Sequence, residues 1–231
     1  MNNLKEYVEK IRSRVDLACR TAGRPSREVT VLAVSKRHPV EKIIALHALG
    51  QGCFGENYVQ EALQKMDLLT EFDIEWHFIG PLQSNKTKEA AQRFDWVQSV
   101  DREKILRRLS AQRPGKLPPL NVCIQVNIDR EPQKAGVLPE QTAELATQCK
   151  GLPGLKLRGL MAIPQIGSDE HDPAESYGRM EKLFNTLRDD GLDMDTLSMG
   201  MSADLEAAVR HGSTMVRIGT DLLGPRPTGV P

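Results

Sequence analysis

Leu4, Val8, Ile11, Val15 and Ala18 recur every three or four positions, and Gly23 follows them. That spacing lays an apolar stripe along a helix over residues 3 to 22, with the glycine as its stop. The rhythm then changes. Residues 29 to 34 are a short apolar run of the kind that forms a strand buried on both faces; Pro39 opens the next helix at its first position and Gly50 closes it. The same alternation continues, predicting strands over 52–55, 76–79, 96–100, 121–127, 156–161, 196–199 and 214–218. Between them fall helices over 57–69, 85–93, 102–113, 139–150, 173–190 and 203–211, with a short helical turn over 220–223. Asp101 is the expected cap of the helix at 102, Pro139 the opening of the helix at 139, and Gly191 the end of the helix before it.

Strands rich in Val, Ile and Leu that alternate with helices pair in parallel through crossovers. Eight such units close best as a single (β/α)₈ barrel over residues 29 to 224, with residues 1 to 22 as an extra N-terminal helix. An open doubly wound sheet is the alternative. No shift of composition divides the 231 residues, so one domain over 1–231 is expected.

Composition narrows the class of partner. Lys and Arg total 31 and Asp and Glu total 31, so no uniform field draws the protein to nucleic acid or to an anionic membrane. No apolar run approaches the roughly 20 residues that span a bilayer, and the start of the chain lacks the apolar core of a signal peptide. Cys19, Cys53, Cys123 and Cys149 are scattered without a Cys-x-x-Cys pair and read as buried thiols of a cytoplasmic protein. The five histidines show no His-x-x-x-His spacing, so no metal site is expected, and the chain is expected to be a monomer.

In such a barrel the chemistry gathers where strands end and the following loops begin. Lys36 stands just past the first strand, on the parity of Val34 and Leu32 that faces the barrel mouth. It is either a solvated loop lysine or an amine whose pKa falls on burial, so that it can condense with a carbonyl. Ser202 precedes the helix after the seventh strand, and Gly219-Thr220 opens the last short helix. Both hydroxyls could simply cap; together with two sets of unpaired backbone N–H groups they could also cradle a phosphate. Arg217 shares inward parity with Met215 and needs either a carboxylate or a ligand atom as its partner. An imine-forming lysine, a phosphate cradle and an inward arginine together describe a site for pyridoxal 5′-phosphate. Gly50-Gln51-Gly52-Cys53-Phe54-Gly55 fits a dinucleotide-binding pattern but leaves a helix and enters a strand, the reverse of the required order. His77 is read first as a packed histidine.

Four stretches carry a resemblance over nearly the whole chain. They are Leu32-Ala33-Val34-Ser35-Lys36, the run Phe54-Gly55-Glu56-Asn57-Tyr58-Val59-Gln60-Glu61, the run from Trp76-His77-Phe78-Ile79-Gly80-Pro81 to Lys86, and Leu197 to Ser202 continuing to Arg217-Ile218-Gly219-Thr220. With these the chain resembles the pyridoxal phosphate homeostasis protein family, whose barrel is related to the N-terminal domain of alanine racemase and is of the fold-type III class. The resemblance implies pyridoxal 5′-phosphate held as a Schiff base on Lys36, its phosphate held by Ser202, Gly219 and Thr220, Arg217 facing the pyridine nitrogen, and Asn57 close to the cofactor. It implies a role in intracellular cofactor homeostasis, with pyridoxal-phosphate-dependent apoenzymes as partners and no turnover of amino acids. A racemase is the alternative, and an aldolase using Lys36 is a weaker one. Racemisation needs an acid and a base on opposite faces of Cα, and of Tyr7, Tyr58 and Tyr177 only Tyr58 lies near the mouth, where it is expected to pack.

Overall fold

The computed structural model describes residues 2–165 and 172–225. A helix, α1 (Asn2–Thr21), precedes β1 (Thr30–Val34), α2 (Val40–His47), β2 (Cys53–Glu56), α3 (Val59–Leu68), β3 (Glu75–Phe78), α4 (Thr87–Arg93), β4 (Trp96–Val100) and α5 (Glu103–Gln112). There follow β5 (Leu120–Val126), α6 (Pro139–Lys150), β6 (Leu155–Ala162), α7 (Pro173–Asp189), β7 (Thr196–Ser198), α8 (Leu205–Arg210), β8 (Met215–Ile218) and α9 (Thr220–Leu223). The strands run parallel in chain order and close, β8 against β1, into a barrel. The fold is therefore the expected single (β/α)₈ barrel with one extra helix.

Helix ends fall where the sequence signals them. Gly23, Gly50 and Gly191 all adopt positive φ, at 67°, 84° and 89°, a conformation that costs a side-chain-bearing residue energy and so marks a stop. Pro139 is the first residue of α6. Asp101 departs from expectation: it does not cap α5, whose N-cap is Arg102 with no side-chain bond. Its carboxylate instead pairs with the Arg102 guanidinium, an ion pair that competes with the backbone N–H groups for the same oxygens.

Alternation along the strands sorts side chains into two layers. Outward residues such as Phe54, Trp76, Phe78, Val97 and Ile124 join Ile43, Leu46, Ile105, Leu109 and Phe184 of the helices in the main core. Ala90 is fully buried in that layer. Inward residues form two smaller clusters, Leu32 with Ile79 and Met215, and Trp96 with Cys123 and Met161. Gly159 permits the closest approach between strands, since a Cβ there would lie 1.7 Å from the Thr196 carbonyl oxygen of β7. Of the described residues, no helix is long and apolar enough to cross a membrane.

Candidate functional site

Lys36, Asn57, Ser202, Arg217, Gly219 and Thr220 come together at the end of the barrel where the strands finish, on the adjacent strands β7, β8, β1 and β2. Val34 pairs with Gly55 and the Ser35 N–H donates to the Gly55 carbonyl at 3.0 Å, so Lys36 and Asn57 leave their strands side by side. On the other flank Leu32 pairs with Arg217, and a Cβ on Gly219 would sit 3.8 Å from that of Val34. The Arg217 N–H donates to the Gly200 carbonyl at 3.0 Å, which draws the Ser202 turn against β8.

The half-buried Lys36 is braced through both neighbours. Before it, the buried Ser35 donates its hydroxyl to Glu56 Oε1 at 2.7 Å, and its carbonyl accepts from Lys65 Nζ at 2.8 Å. After it, Arg37 takes φ of 61°, an uncommon conformation for a non-glycine residue, and its N–H donates to Glu61 Oε1. Lys65 ties the two sides together at 2.7 Å from both Glu56 and Glu61. Burial pushes the Glu56 carboxyl above its ordinary pKa, against the attraction of Lys65. Lys36 thus sits on a turn fixed by ionic partners on β2 and α3.

The Ser202 turn is built differently from the expected helix start. Asp204 Oδ1 accepts the Met201 N–H at 2.6 Å, folding a turn that delays α8 to Leu205. Tyr177 of α7, fully buried, donates its hydroxyl to the other oxygen of Asp204 at 2.7 Å. From the far side Arg14 of α1 donates to the Ser202 carbonyl at 2.8 Å while its guanidinium grips Glu206 at 2.7 and 2.9 Å. The N-caps of α8 and α9 are Asp204 and Gly219, so neither Ser202 nor Thr220 spends its hydroxyl on capping.

Arg217 points into the barrel and is 5% exposed. Its partner is neither of the two expected kinds. Nη1 donates to the Ser198 carbonyl and hydroxyl at 2.7 and 2.9 Å, and Nη2 donates to the Ala162 carbonyl at 2.8 Å. Burial lowers its pKa from the usual arginine value. A polar chain continues down the barrel: Ser198 donates to Gln98 Oε1 at 2.7 Å, Gln98 Nε2 meets His77 Nδ1 at 2.8 Å, and His77 Nε2 meets Glu75 Oε1 at 2.8 Å. Every bond is satisfied if His77 is neutral with its proton on Nε2, and burial lowers its pKa in the same sense. His77, stacked on Trp96 at 5.0 Å, is a packed residue as expected, and it lies below the mouth.

Asn57 supplies the test of fit for a ligand. Its side-chain oxygen is buried with no hydrogen-bond partner, an arrangement that costs about 1 to 3 kcal/mol unless something at the mouth satisfies it. A cavity of about 250 Å³ opens beside it, lined by Ile79, Pro81, Gln125, Asn127 and Lys134. Gly80 permits this packing, since a Cβ there would lie 2.1 Å from the Asn57 carbonyl oxygen. A half-buried amine, an orphaned amide oxygen, two uncommitted hydroxyls and a buried cation fit an anionic ligand that carries a carbonyl.

Tyr58 differs from expectation. As the N-cap of α3 its backbone is extended, at φ −125° and ψ 120°. The side chain is 51% exposed and lines a groove of about 880 Å³ that also takes in Val40, Gln64 and Leu68. Sequence reasoning missed Arg14, Lys65, Gln98, Tyr177 and Ser198. Strand parity could have found Gln98 and Ser198, which are polar residues at inward positions; Arg14 and Tyr177 act across long separations that no local pattern announces, and the i,i+4 pairing of Lys65 with Glu61 does not announce its reach to Ser35.

Known proteins place the chain in context. Residues 8–227 match the family model described as alanine racemase, N-terminal domain. The chain is 50% identical over 231 residues to a pyridoxal phosphate homeostasis protein of Pseudomonas aeruginosa, covering 100% of this chain and 99% of that one. It is 46% identical over 229 residues to the protein of the same name in Escherichia coli K12, covering 98% of each. Among solved structures it is similar to PipY of Synechococcus elongatus with PLP bound, at 34% identity and a TM-score of 0.84 over 96% of this chain and 100% of that one. Alanine racemase of Clostridium difficile shares the fold at a TM-score of 0.76 and 13% identity, with this chain covering 58% of it. By fold and by identity along its whole length, the chain belongs to the pyridoxal phosphate homeostasis protein family.

Proposed function

We propose that the chain binds pyridoxal 5′-phosphate at the barrel mouth as a Schiff base on Lys36 and serves intracellular homeostasis of that cofactor as a holder rather than an enzyme. The observation that carries this reading is the braced, half-buried Lys36 beside Asn57, whose buried oxygen lacks a partner. Bound there, the cofactor supplies an aldehyde carbon that can pass from one amine to another. Ser202 and Thr220 offer hydroxyls, and Gly219 a backbone free of side chain, to the phosphate. Arg217 would present a fixed positive charge to the ring nitrogen, and a guanidinium cannot accept a proton from it. Asn57 would offer its unpartnered amide oxygen beside Lys36. A racemase would need a second acid–base group besides Lys36; Tyr58, the candidate for it, lines the groove with α2 and α3 residues.

Spectroscopy and reduction test the reading. Protein incubated with pyridoxal 5′-phosphate should turn yellow, and borohydride should fix a pyridoxyl group on the peptide containing Lys36. Label confined to Lys86 or to an exposed lysine would overturn it, as would an unchanged chromophore in Lys36→Ala.

A further inference from the structure

The opposite end of the barrel holds a second group of reactive side chains. Cys53 of β2 pairs directly with Glu75 of β3, and His77 follows two residues later on the same inward face. Glu75 Oε1 lies 2.8 Å from His77 Nε2 and 3.5 Å from Cys53 Sγ, and one donor atom from each residue falls within 4.8 Å of the other two. We propose that Cys53, Glu75 and His77 form a binding site for one divalent cation of the zinc class at the N-terminal end of the barrel.

The donor set supports this class. A thiolate, an imidazole and a carboxylate are the three side-chain types that zinc takes, and they suit it better than the all-oxygen shells of magnesium or calcium. Around a tetrahedral zinc the donor atoms stand about 3.5 Å apart. The carboxylate–imidazole pair must open somewhat, and the sulfur must swing inward by rotation about the Cys53 side chain. Metal-binding imidazoles are held through their second nitrogen, and here Gln98 occupies His77 Nδ1 at 2.8 Å. With Nε2 given to the metal, the ring proton resides on Nδ1. Gln98 then turns its amide to present Oε1, and its Nε2 meets Ser198 Oγ in exchange. The thiol proton leaves to solvent, so one dication is balanced by a thiolate and the Glu75 carboxylate, and the buried cluster is neutral.

Solvent access fits the assignment. His77 is fully buried, but Glu75 is 45% exposed and reaches solvent through a cavity of about 650 Å³ that Cys53 also lines. The fourth position of a tetrahedral ion would be left for a water from this cavity. Arg158 and Arg188 line the same cavity; the charge of Arg158 is engaged by Asp195 at 2.7 to 3.1 Å while its guanidinium lies 4.5 Å over the Trp96 ring, and Arg188 lies over the Phe184 ring. Cys19, Cys123 and Cys149 are buried, whereas Cys53 is half-buried. No spacing along the chain reveals the group, because its members come from neighbouring strands.

The test uses untagged full-length protein stripped with chelator and titrated with Co²⁺, followed by competition with Zn²⁺. One ion per chain should bind at micromolar concentration with a thiolate-to-cobalt charge-transfer band, and zinc should displace it. Cys53→Ser should abolish the band, and Glu75→Gln should weaken binding at least tenfold, with both variants melting as folded proteins. Absence of stoichiometric uptake, or the same band in Cys53→Ser, would overturn the proposal. So would unchanged affinity in Glu75→Gln, since the three residues would then be a hydrogen-bonded cluster only.

Discussion

Replacing Lys65 by methionine removes the cation that holds the turn beneath Lys36. The substitution keeps the length of the side chain but leaves Glu56, fully buried, with only the Ser35 hydroxyl, and strips the Ser35 carbonyl and Glu61 of a partner. Breaking a buried pair from one side costs about 3 to 5 kcal/mol, and that is the loss of stability expected at pH 7 from urea unfolding. The deficit depends on pH in a definite direction. Burial raises the folded pKa of Glu56 above its ordinary value, and loss of Lys65 raises it further. A carboxyl with a raised folded pKa contributes fully below its unfolded pKa, and the contribution is lost as pH rises through the folded value. Acidification from pH 7 toward 5 should therefore shrink the deficit of Lys65→Met by up to about 1.4 kcal/mol per pH unit. Adding Glu56→Gln should recover much of the loss at pH 7, because no buried charge then remains. The variant should also bind pyridoxal 5′-phosphate more weakly, read from the imine absorption, since the Ser35 side of the Lys36 turn is released. A deficit below about 1 kcal/mol that does not change with pH would refute this account, because it would place Lys65 among weak surface pairs.

Ser202→Ala should weaken cofactor binding by tenfold or more, since a hydrogen bond to a charged group is worth about 1.5 to 3 kcal/mol, and should leave the melting temperature unchanged because Ser202 caps no helix; equal affinity in equilibrium dialysis would remove it from the phosphate site. Tyr177→Phe deletes the hydroxyl bonded to Asp204 at 2.7 Å and should cost about 1.5 to 3 kcal/mol of stability, together with some cofactor affinity, because the 201–204 turn loses one brace. Unchanged stability would show that Asp204 needs only the Met201 N–H. With L-alanine, formation of D-alanine and exchange of the Cα hydrogen with deuterated solvent should stay near the rate of free pyridoxal phosphate; turnover at enzymatic rates that vanishes in Tyr58→Phe would restore the racemase reading.

The barrel was legible because its signals are local. Apolar periodicity switches between strand and helix spacing unit by unit, and the stops at Gly23, Gly50 and Gly191 need nothing beyond their own backbone. The start of α5 misled for the same reason: Asp101 stands where a cap would be, yet the adjacent Arg102 takes its carboxylate. The start of α8 also shifted, by about half a turn, because Asp204 serves both the Met201 N–H and the distant Tyr177. A cap preference of about 1 kcal/mol yields readily to such competitors.

The strand-end positions of the candidate residues were legible, but the contacts that brace them were not. Lys36, Asn57, Ser202, Arg217, Gly219 and Thr220 fall at strand ends, and knowing which ends become neighbours requires only that the barrel close. Closure brings the first two strands beside the last two, so the mouth is assembled from both halves of the sequence. What holds it depends on register and helix packing. Arg14 belongs to the helix that stands outside the repeating pattern, yet it binds the Ser202 carbonyl, Glu206 and Asp221 at once. The extra helix is therefore tied directly to the Ser202 turn, and the first segment of the chain secures a loop near its end. On the other side Lys65 acts from α3 on the turn after β1. The two turns that present Lys36 and Ser202 are thus each fixed by a cation from a helix that does not itself line the mouth. A site of this design keeps its donors in place before any ligand arrives, which lowers the ordering cost of binding.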